Sequence, residues 1–563
     1  MEDAPTNVRL RMGTAMMPES FNASVYLVDR QVEAGRGDQV AVTGPAGAPS
    51  SVTYAQLAAR VAELAAGLRE LGVRPEERVL LVMSDRPETV VAILAVMRMG
   101  AVAVPISTMY NGAELATLFR DARGRVVVAT PEFAPAVREA LATAPDVTTL
   151  VLTEPDEADP DPAAEDAGAW DSGVRVRRWA DVLEAGRGAV AAHGQGAGAA
   201  YDSWRDSPAL WLYTSGTTGA PKAAMHRHGA IRDVCETYGK QVLGIRPGDR
   251  CFSVARLFFA YGLGNSLFFP LAAGATVILD PARPTPAGVI ARVTADRPTL
   301  FFAGPTFYAA LLAPGAPDDA FESVRLAVSA GEALPAEIYR RFTERFGVDI
   351  IDGLGSTEAL HIFISNRPGQ VRQGSSGTVV PGYEARLLDD LGAPVPEGEP
   401  GHLYVRGDSI ATGYWCRTAA TRQVFQGEWL RTGDTYTRDA DGFYHCLGRS
   451  NDLIKAGGIW VSPMEVEARL LEHTSVGECA VVAYIDPDGL EKPVACVVPA
   501  AGRAVDATEL VAFCRDGLAS FKRPREVLVV DALPKTATGK IQRVVVRDIA
   551  ADLLGKRQIG SVP

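Results

Sequence analysis

The 563-residue chain exceeds one ordinary domain, and its composition, 47% hydrophobic and 22% charged, is that of a globular protein. Its 56 basic against 68 acidic side chains give a net charge of −12, which argues against general affinity for nucleic acid or an anionic membrane. An anionic substrate must then be held by local cations.

The opening MEDAPTNVRLRMG lacks the apolar core of a signal peptide, and the longest apolar run, VVAILAVM from Val90 to Met97, is too short to span a bilayer. A cytoplasmic protein with no membrane or nucleic-acid partner is expected. After Thr53, YAQLAARVAELAAGLRELGV spaces its apolar residues at three and four and stops at Gly72, which predicts an amphipathic helix. RVLLVMSD reads as a buried strand, PETVVAILAVMRMG as a helix starting on Pro87, and AVAVPIS, RVVVAT and TTLVLTE as further strands. This βαβ order predicts a parallel sheet flanked by helices. Residues 154–198, rich in Asp, Glu, Ala and Gly, read as a solvated surface excursion.

Between apolar ALWLY and AAM, the stretch Thr214–Lys222 packs four hydroxyls (Thr214, Ser215, Thr217, Thr218), Gly216, Gly219 and one lysine. A glycine-rich turn after a strand exposes backbone N–H groups, the hydroxyls add donors and Lys222 supplies counter-charge, a combination suited to phosphate oxygens. The spacing does not fit GxxxxGK[ST], and taken alone the stretch has a solvated turn as its alternative reading. Alternation returns at GATVILD, RPTLFFAGP and VRLAVSAGEAL. From Ser376, GTVVPGYEARLLDD and GHLYVRGD have the short, turn-punctuated look of an antiparallel sheet. SPMEVEARLLEH, ECAVVAYI and VACVVP begin a fresh helix-and-strand unit, so a boundary is predicted between residues 449 and 450. Seven cysteines, odd in number, scattered and without a C-x-x-C pair, fit reduced thiols rather than a disulfide framework or zinc site.

Five segments in one order carry a resemblance. YTSGTTGAPK, GLGSTE (353–358), WLRTGD (429–434), GRSNDLIKAGGIWVSPMEVE (448–467) and LPKTATGKIQR (533–543) resemble the phosphate, nucleotide, ribose, hinge and C-terminal lysine motifs of the AMP-forming acyl-activating enzymes. That superfamily includes acyl-CoA synthetases, luciferases and peptide-synthetase adenylation domains. Within it, ESFNASVYLVDRQVEAGRGD, RLFFAYGLGN, SAGEALP and LGSTEALHIFISN most resemble benzoate-CoA and hydroxybenzoate-CoA ligases. The implied fold is α/β: a large N-terminal adenylation domain (1–449) of parallel-sheet αβ subdomains with a small β-barrel-like subdomain, then a small mobile α+β domain (450–563).

The resemblance also implies roles. Thr214–Lys222 grips the β- and γ-phosphates, Thr357 bonds the α-phosphate, and Glu358 holds Mg²⁺ with Thr218. Gly331, Glu332 and Ala333 face the adenine with Asp352, Gly353, Leu354, Gly355 and Ser356. Asp434 accepts the ribose hydroxyls with Arg449 beside it, and Lys540 bridges the substrate carboxylate and the ribose oxygen. Phe259, Ala260, Tyr261, Gly262, Ala330, His361 and Ile362 line the acid pocket, beside Gly355. Lys455, Gly457, Gly458 and Trp460 serve CoA, and Asn451 is the hinge. ATP, Mg²⁺ and CoA are the implied cofactors, an acyl carrier protein is the alternative acceptor, and the assembly is a monomer or homodimer.

The pattern is broken in three places. Leu354 stands where an aromatic residue often stacks on adenine, Ala223 where glycine is usual, and Asn451 where Asp or Lys is common. ARLFFAYGLGN contains no acid to pair an α-ammonium, which disfavours an amino acid. Small residues beside aromatic ones suit a flat ring, and His361 and Tyr261 either meet a ring substituent or simply close the cavity.

Overall fold

The computed structural model describes residues 19–44, 51–154, 173–193, 195–215, 221–312, 315–449, 452–456, 459–486, 490–535 and 541–559. The runs read as buried strands pair side by side. A seven-stranded sheet has the order Arg175–Arg178, Thr149–Leu152, Val126–Ala129, Arg78–Val82, Val102–Pro105, Pro208–Ser215, Pro221–Arg227. All its neighbours are parallel except the last pair, a hairpin. VVVA and TLVL are buried at every residue, as strands covered on both faces must be. The helix Tyr54–Glu70 opens on a reciprocal cap, Thr53 accepting from the Gln56 N–H while Gln56 accepts from that of Thr53.

Residues 173–193 and 195–198 correct the reading of a surface excursion; residues 155–172 and 194 of that stretch lie outside the described residues. Arg175–Arg178 adds a parallel edge strand, and Trp179–His193 is a helix. Trp179 and Val182 are buried in the core that includes the helix Tyr54–Glu70. A Cβ at Gly186 would fall 1.8 Å from the Glu63 carbonyl oxygen, so the two helices meet through bare backbone. Small residues that read as linker composition are here the means of close helix packing.

A nine-stranded sheet runs Thr378–Val379, Ile362–Ser365, Ile350–Gly355, Leu326–Ala330, Leu300–Ala303, Arg250–Ser253, Thr276–Ile278, Val40–Thr43, Val52–Thr53, parallel from Ile350–Gly355 to Val40–Thr43 and antiparallel at both ends. Tyr383–Leu388, Gly401–Gly407, Trp429–Arg438, Phe425–Gln426 and Tyr444–Arg449 form an antiparallel five-stranded sheet. Beyond it, Val476–Ile485, Glu491–Pro499 and Glu526–Val529 make a three-stranded sheet, packed with the helices Pro463–Leu471, Ala507–Arg515 and Arg543–Ile559 around two small cores. No helix among the described residues is long and apolar enough to cross a membrane.

Candidate active site

The hairpin Pro208–Ser215/Pro221–Arg227 carries the phosphate segment at its tip, with Thr214 opposite Lys222. Gly216, Thr217, Thr218 and Gly219 lie outside the described residues, as does the Ser215 side chain. The hairpin is braced along its second strand: Met225 N–H donates to the Gly413 carbonyl at 3.0 Å, Thr412 N–H to Met225 at 2.9 Å and Trp415 N–H to Ala223 at 3.0 Å. This places the Tyr414 ring 5.6 Å from the Lys222 ammonium, measured to the ring centroid. The Tyr414 hydroxyl donates to Glu358 Oε1 at 2.6 Å.

Glu358 and Thr357 follow the strand Ile350–Gly355 and are held through their backbones. The Thr357 carbonyl lies 2.8 Å from His226 Nε2, which must therefore be the protonated nitrogen, and burial pushes His226 down to about 4, keeping the ring neutral. Ala411 N–H donates to the Glu358 carbonyl at 2.8 Å. Two residues on, Leu360 is fully buried with φ +68, a left-handed turn for a bulky residue that reverses the chain into Ile362–Ser365. Gly331, at the end of the neighbouring strand, has φ +100 and turns the chain beside the Asp352–Ser356 segment. Asp352 is buried, and burial pushes its carboxyl up to about 8.

Asp434 and Arg449 face each other across antiparallel strands, with Arg449 Nε 3.1 Å from Asp434 Oδ1. Asp434, and with it Glu358, raises the basicity of Arg449, so the ribose segment lies within electrostatic reach of the Glu358 segment.

The acid-pocket residues converge from three strands and one helical turn. Ala330 pairs with Gly353 and Gly355 with Ile362. A Cβ at Gly355 would come 2.7 Å from the His361 carbonyl oxygen, so only glycine lets these strands close here. The turn Ala260–Leu263 follows Phe259 and sends the Tyr261 hydroxyl to the Val328 carbonyl at 3.1 Å. Gly262 packs against the Arg256 carbonyl. His361 is 3% exposed between the rings of Tyr238, Tyr261 and Phe269, at 5.4, 5.5 and 4.5 Å. Its Nε2 faces the Tyr261 carbonyl at 3.4 Å, and burial pushes it down to about 3, so the imidazole is neutral.

Three groups here were assigned no role from the sequence. Tyr414 belongs to none of the five motifs. Asn265 and Tyr238 are fully buried, yet neither amide atom of Asn265 nor the Tyr238 hydroxyl has a hydrogen-bond partner among the described residues.

Lys540 falls in 536–540, outside the described residues, as do Asn451, Gly457 and Gly458 and the side chains of Lys455 and Trp460. Their frameworks are defined. Lys455 and Trp460 pair across the hairpin Ile454–Ala456/Ile459–Val461. Lys535 pairs with Ile541, and Gln542 donates to the Pro534 carbonyl at 2.9 Å and, through Nε2, to that of Lys535 at 2.8 Å. Arg543 binds both oxygens of Glu467 at 2.5 and 2.8 Å. Burial works against the Arg543 charge, but the carboxylates of Glu467, Asp452 and Glu332 outweigh it. Glu332 follows the strand Leu326–Ala330, so Arg543, the last residue of the lysine motif, lies within electrostatic reach of that segment.

Segments that resemble the phosphate and nucleotide motifs meet on one hairpin and one strand, as in an adenylate-forming enzyme. The chain belongs to the AMP-binding enzyme family: the AMP-binding enzyme model matches residues 28–415 and the AMP-binding enzyme C-terminal domain matches 465–540. It is similar to the benzoate–CoA ligase of Thauera aromatica, 42% identical over 94% of this chain and 96% of that one. It is also similar to the 4-hydroxybenzoate–CoA/benzoate–CoA ligase of Rhodopseudomonas palustris, 41% identical over 94% of each. Among solved structures, the anthranilate CoA ligase AuaEII in complex with anthranoyl-AMP superposes with a TM-score of 0.86 at 37% identity, covering 96% of this chain and 99% of that one. A benzoate CoA ligase from Burkholderia xenovorans LB400 gives 0.81 at 41%, covering 94% and 100%.

Proposed function

We propose that the protein activates a benzoate-type aromatic acid with ATP, releasing pyrophosphate, and passes the aryl group from the adenylate to the thiol of CoA, releasing AMP. What supports this reading is the link of Lys222 to Glu358 through Tyr414 and the Asp434–Arg449 pair, together with the packing of Tyr261, Ala330, Gly355, His361 and Ile362, none of which is a carboxylate. An aromatic ring is welcome there and an ammonium group is not.

ATP carries roughly four negative charges, and its reaction with a carboxylate is mostly positioning and charge neutralisation. Lys222 neutralises the leaving pyrophosphate, Thr357 bonds the α-phosphate and Asp434 takes the ribose hydroxyls. Lys540 aligns the acid's carboxylate with the ribose oxygen. Glu358 suits Mg²⁺: among the described residues no three His, Cys, Asp or Glu side chains gather to make a protein cage, and Mg²⁺ with a nucleotide needs only one or two carboxylates plus phosphate oxygens. When bound, the ion neutralises phosphate charge. The thiol of CoA is the nucleophile of the second step, so no protein cysteine is required, and all seven are free.

In this reading the chain divides at residues 449 and 450, and the unit 450–563 turns about Asn451. It presents Lys540 for the first step and Lys455–Trp460 for the second, the glycines letting the pantetheine arm pass close to backbone. CoA rather than a carrier protein is the acceptor, and a cytoplasmic setting follows from the need for ATP and CoA.

A pyrophosphate-release screen across benzoate, its hydroxy and amino derivatives, cinnamate and short fatty acids, with CoA added separately, tests the proposal. Release with benzoate-type acids and CoA-dependent thioester formation are expected. Faster release with a fatty acid than with any aryl acid would overturn it.

A further inference from the structure

Tyr414 joins two charged groups that the motifs keep apart. It is 7% exposed, its hydroxyl donates to Glu358 Oε1 at 2.6 Å, and its ring faces the Lys222 ammonium at 5.6 Å. Its own backbone is fixed, since the N–H donates to Thr421 Oγ1 at 3.0 Å and the residue bridges to Ala224 of the phosphate hairpin. A carboxylate oxygen only accepts, so at this distance the phenol O–H is the donor. The bond is charge-assisted and commits one oxygen of Glu358. Oε2 is the oxygen left to face the phosphates.

We infer that Tyr414 is a positioning residue for the cation that accompanies the nucleotide: its hydroxyl fixes which oxygen of Glu358 meets the ion, and its ring holds Lys222 in register with that oxygen. The inference rests on the assignment of Glu358 to Mg²⁺ made above. Mg²⁺ demands near-ideal octahedral geometry, and a site offering a single carboxylate depends on that group being oriented beforehand. Hydrogen-bond partners of ligating carboxylates contribute about 10–100-fold to metal affinity.

Tyr414→Phe keeps the ring and the Lys222 contact but removes the donor. Calorimetric titration of ATP at graded free Mg²⁺, with no acid present, should show the half-saturating Mg²⁺ rising about 10-fold, while the KM for the aromatic acid and the melting temperature stay near wild type. Tyr414→His, which returns an N–H donor, should recover part of the loss. A folded phenylalanine variant with wild-type Mg²⁺ dependence overturns the inference. Should that variant unfold, a folded histidine variant whose half-saturating Mg²⁺ lies between that of wild type and the roughly 10-fold rise supports the inference, and one equal to wild type overturns it. A wild-type protein that binds Mg·ATP yet activates no aromatic acid defeats the proposed function alone.

Discussion

Asp352 is a carboxyl whose proton is set by its surroundings. Burial lifts it from the ordinary 3.8 to about 8, so between those values the folded chain holds a proton that the unfolded chain has lost. Its contribution to stability is complete below the lower value and is lost as pH rises through the upper one. Asp352→Asn should remove this dependence, flattening the fall in stability between pH ~6 and ~8 by about 1 kcal/mol per unit, as read from thermal melts. Equal slopes for the two proteins would show that Asp352 is ionised in the fold. His361 carries the opposite sign. It is held neutral down to about 3 against an ordinary 6.5, so its share of stability is present above the ordinary value and drains away as pH falls toward 3. His361 Nε2 faces the Tyr261 carbonyl and the Tyr261 hydroxyl donates to that of Val328, while His361 Nδ1 has no hydrogen-bond partner among the described residues.

At the scale of elements, the helix pair Tyr54–Glu70 and Trp179–His193 depends on glycine at the crossing. Gly186→Val would push a side chain into the Glu63 carbonyl and should cost about 1–3 kcal/mol, visible as a lower urea midpoint with the activity of the folded fraction retained. An unchanged midpoint would mean that the helices do not approach this closely in solution. The buried parallel strands were legible because such strands read as unbroken apolar runs, and the helices Tyr54–Glu70 and Pro87–Arg98 because of their caps and period. The edge strand Arg175–Arg178 was not: three of its four residues are arginines, and only its pairing with Thr149–Leu152 makes it a strand. In the site, Lys222, Glu358 and Asp434 stood out because their motifs are local. Tyr414 meets Glu358 and Lys222, which lie far away in the chain, and no spacing announces such a contact.

At the scale of the whole molecule, the proposed cycle gives one lysine a part in only the first of two half-reactions. Lys540→Ala should lower adenylate formation by at least ~10²-fold, the scale of losing one well-placed electrostatic group. Thioester formation from supplied aryl-adenylate should change far less, as followed by separate pyrophosphate and thioester assays. An equal fall in both would refute a two-arrangement cycle. The Arg543–Glu467 pair, with Glu467 Oε1 also accepting the Val481 N–H at 2.6 Å, ties this segment to the three-stranded sheet.

The pairing of Lys535 with Ile541 then has a kinetic meaning. In the proposed cycle the lysine motif travels with the unit to which it is stitched, so the exchange between the two steps is timed by the swing of the C-terminal body rather than by the motif alone.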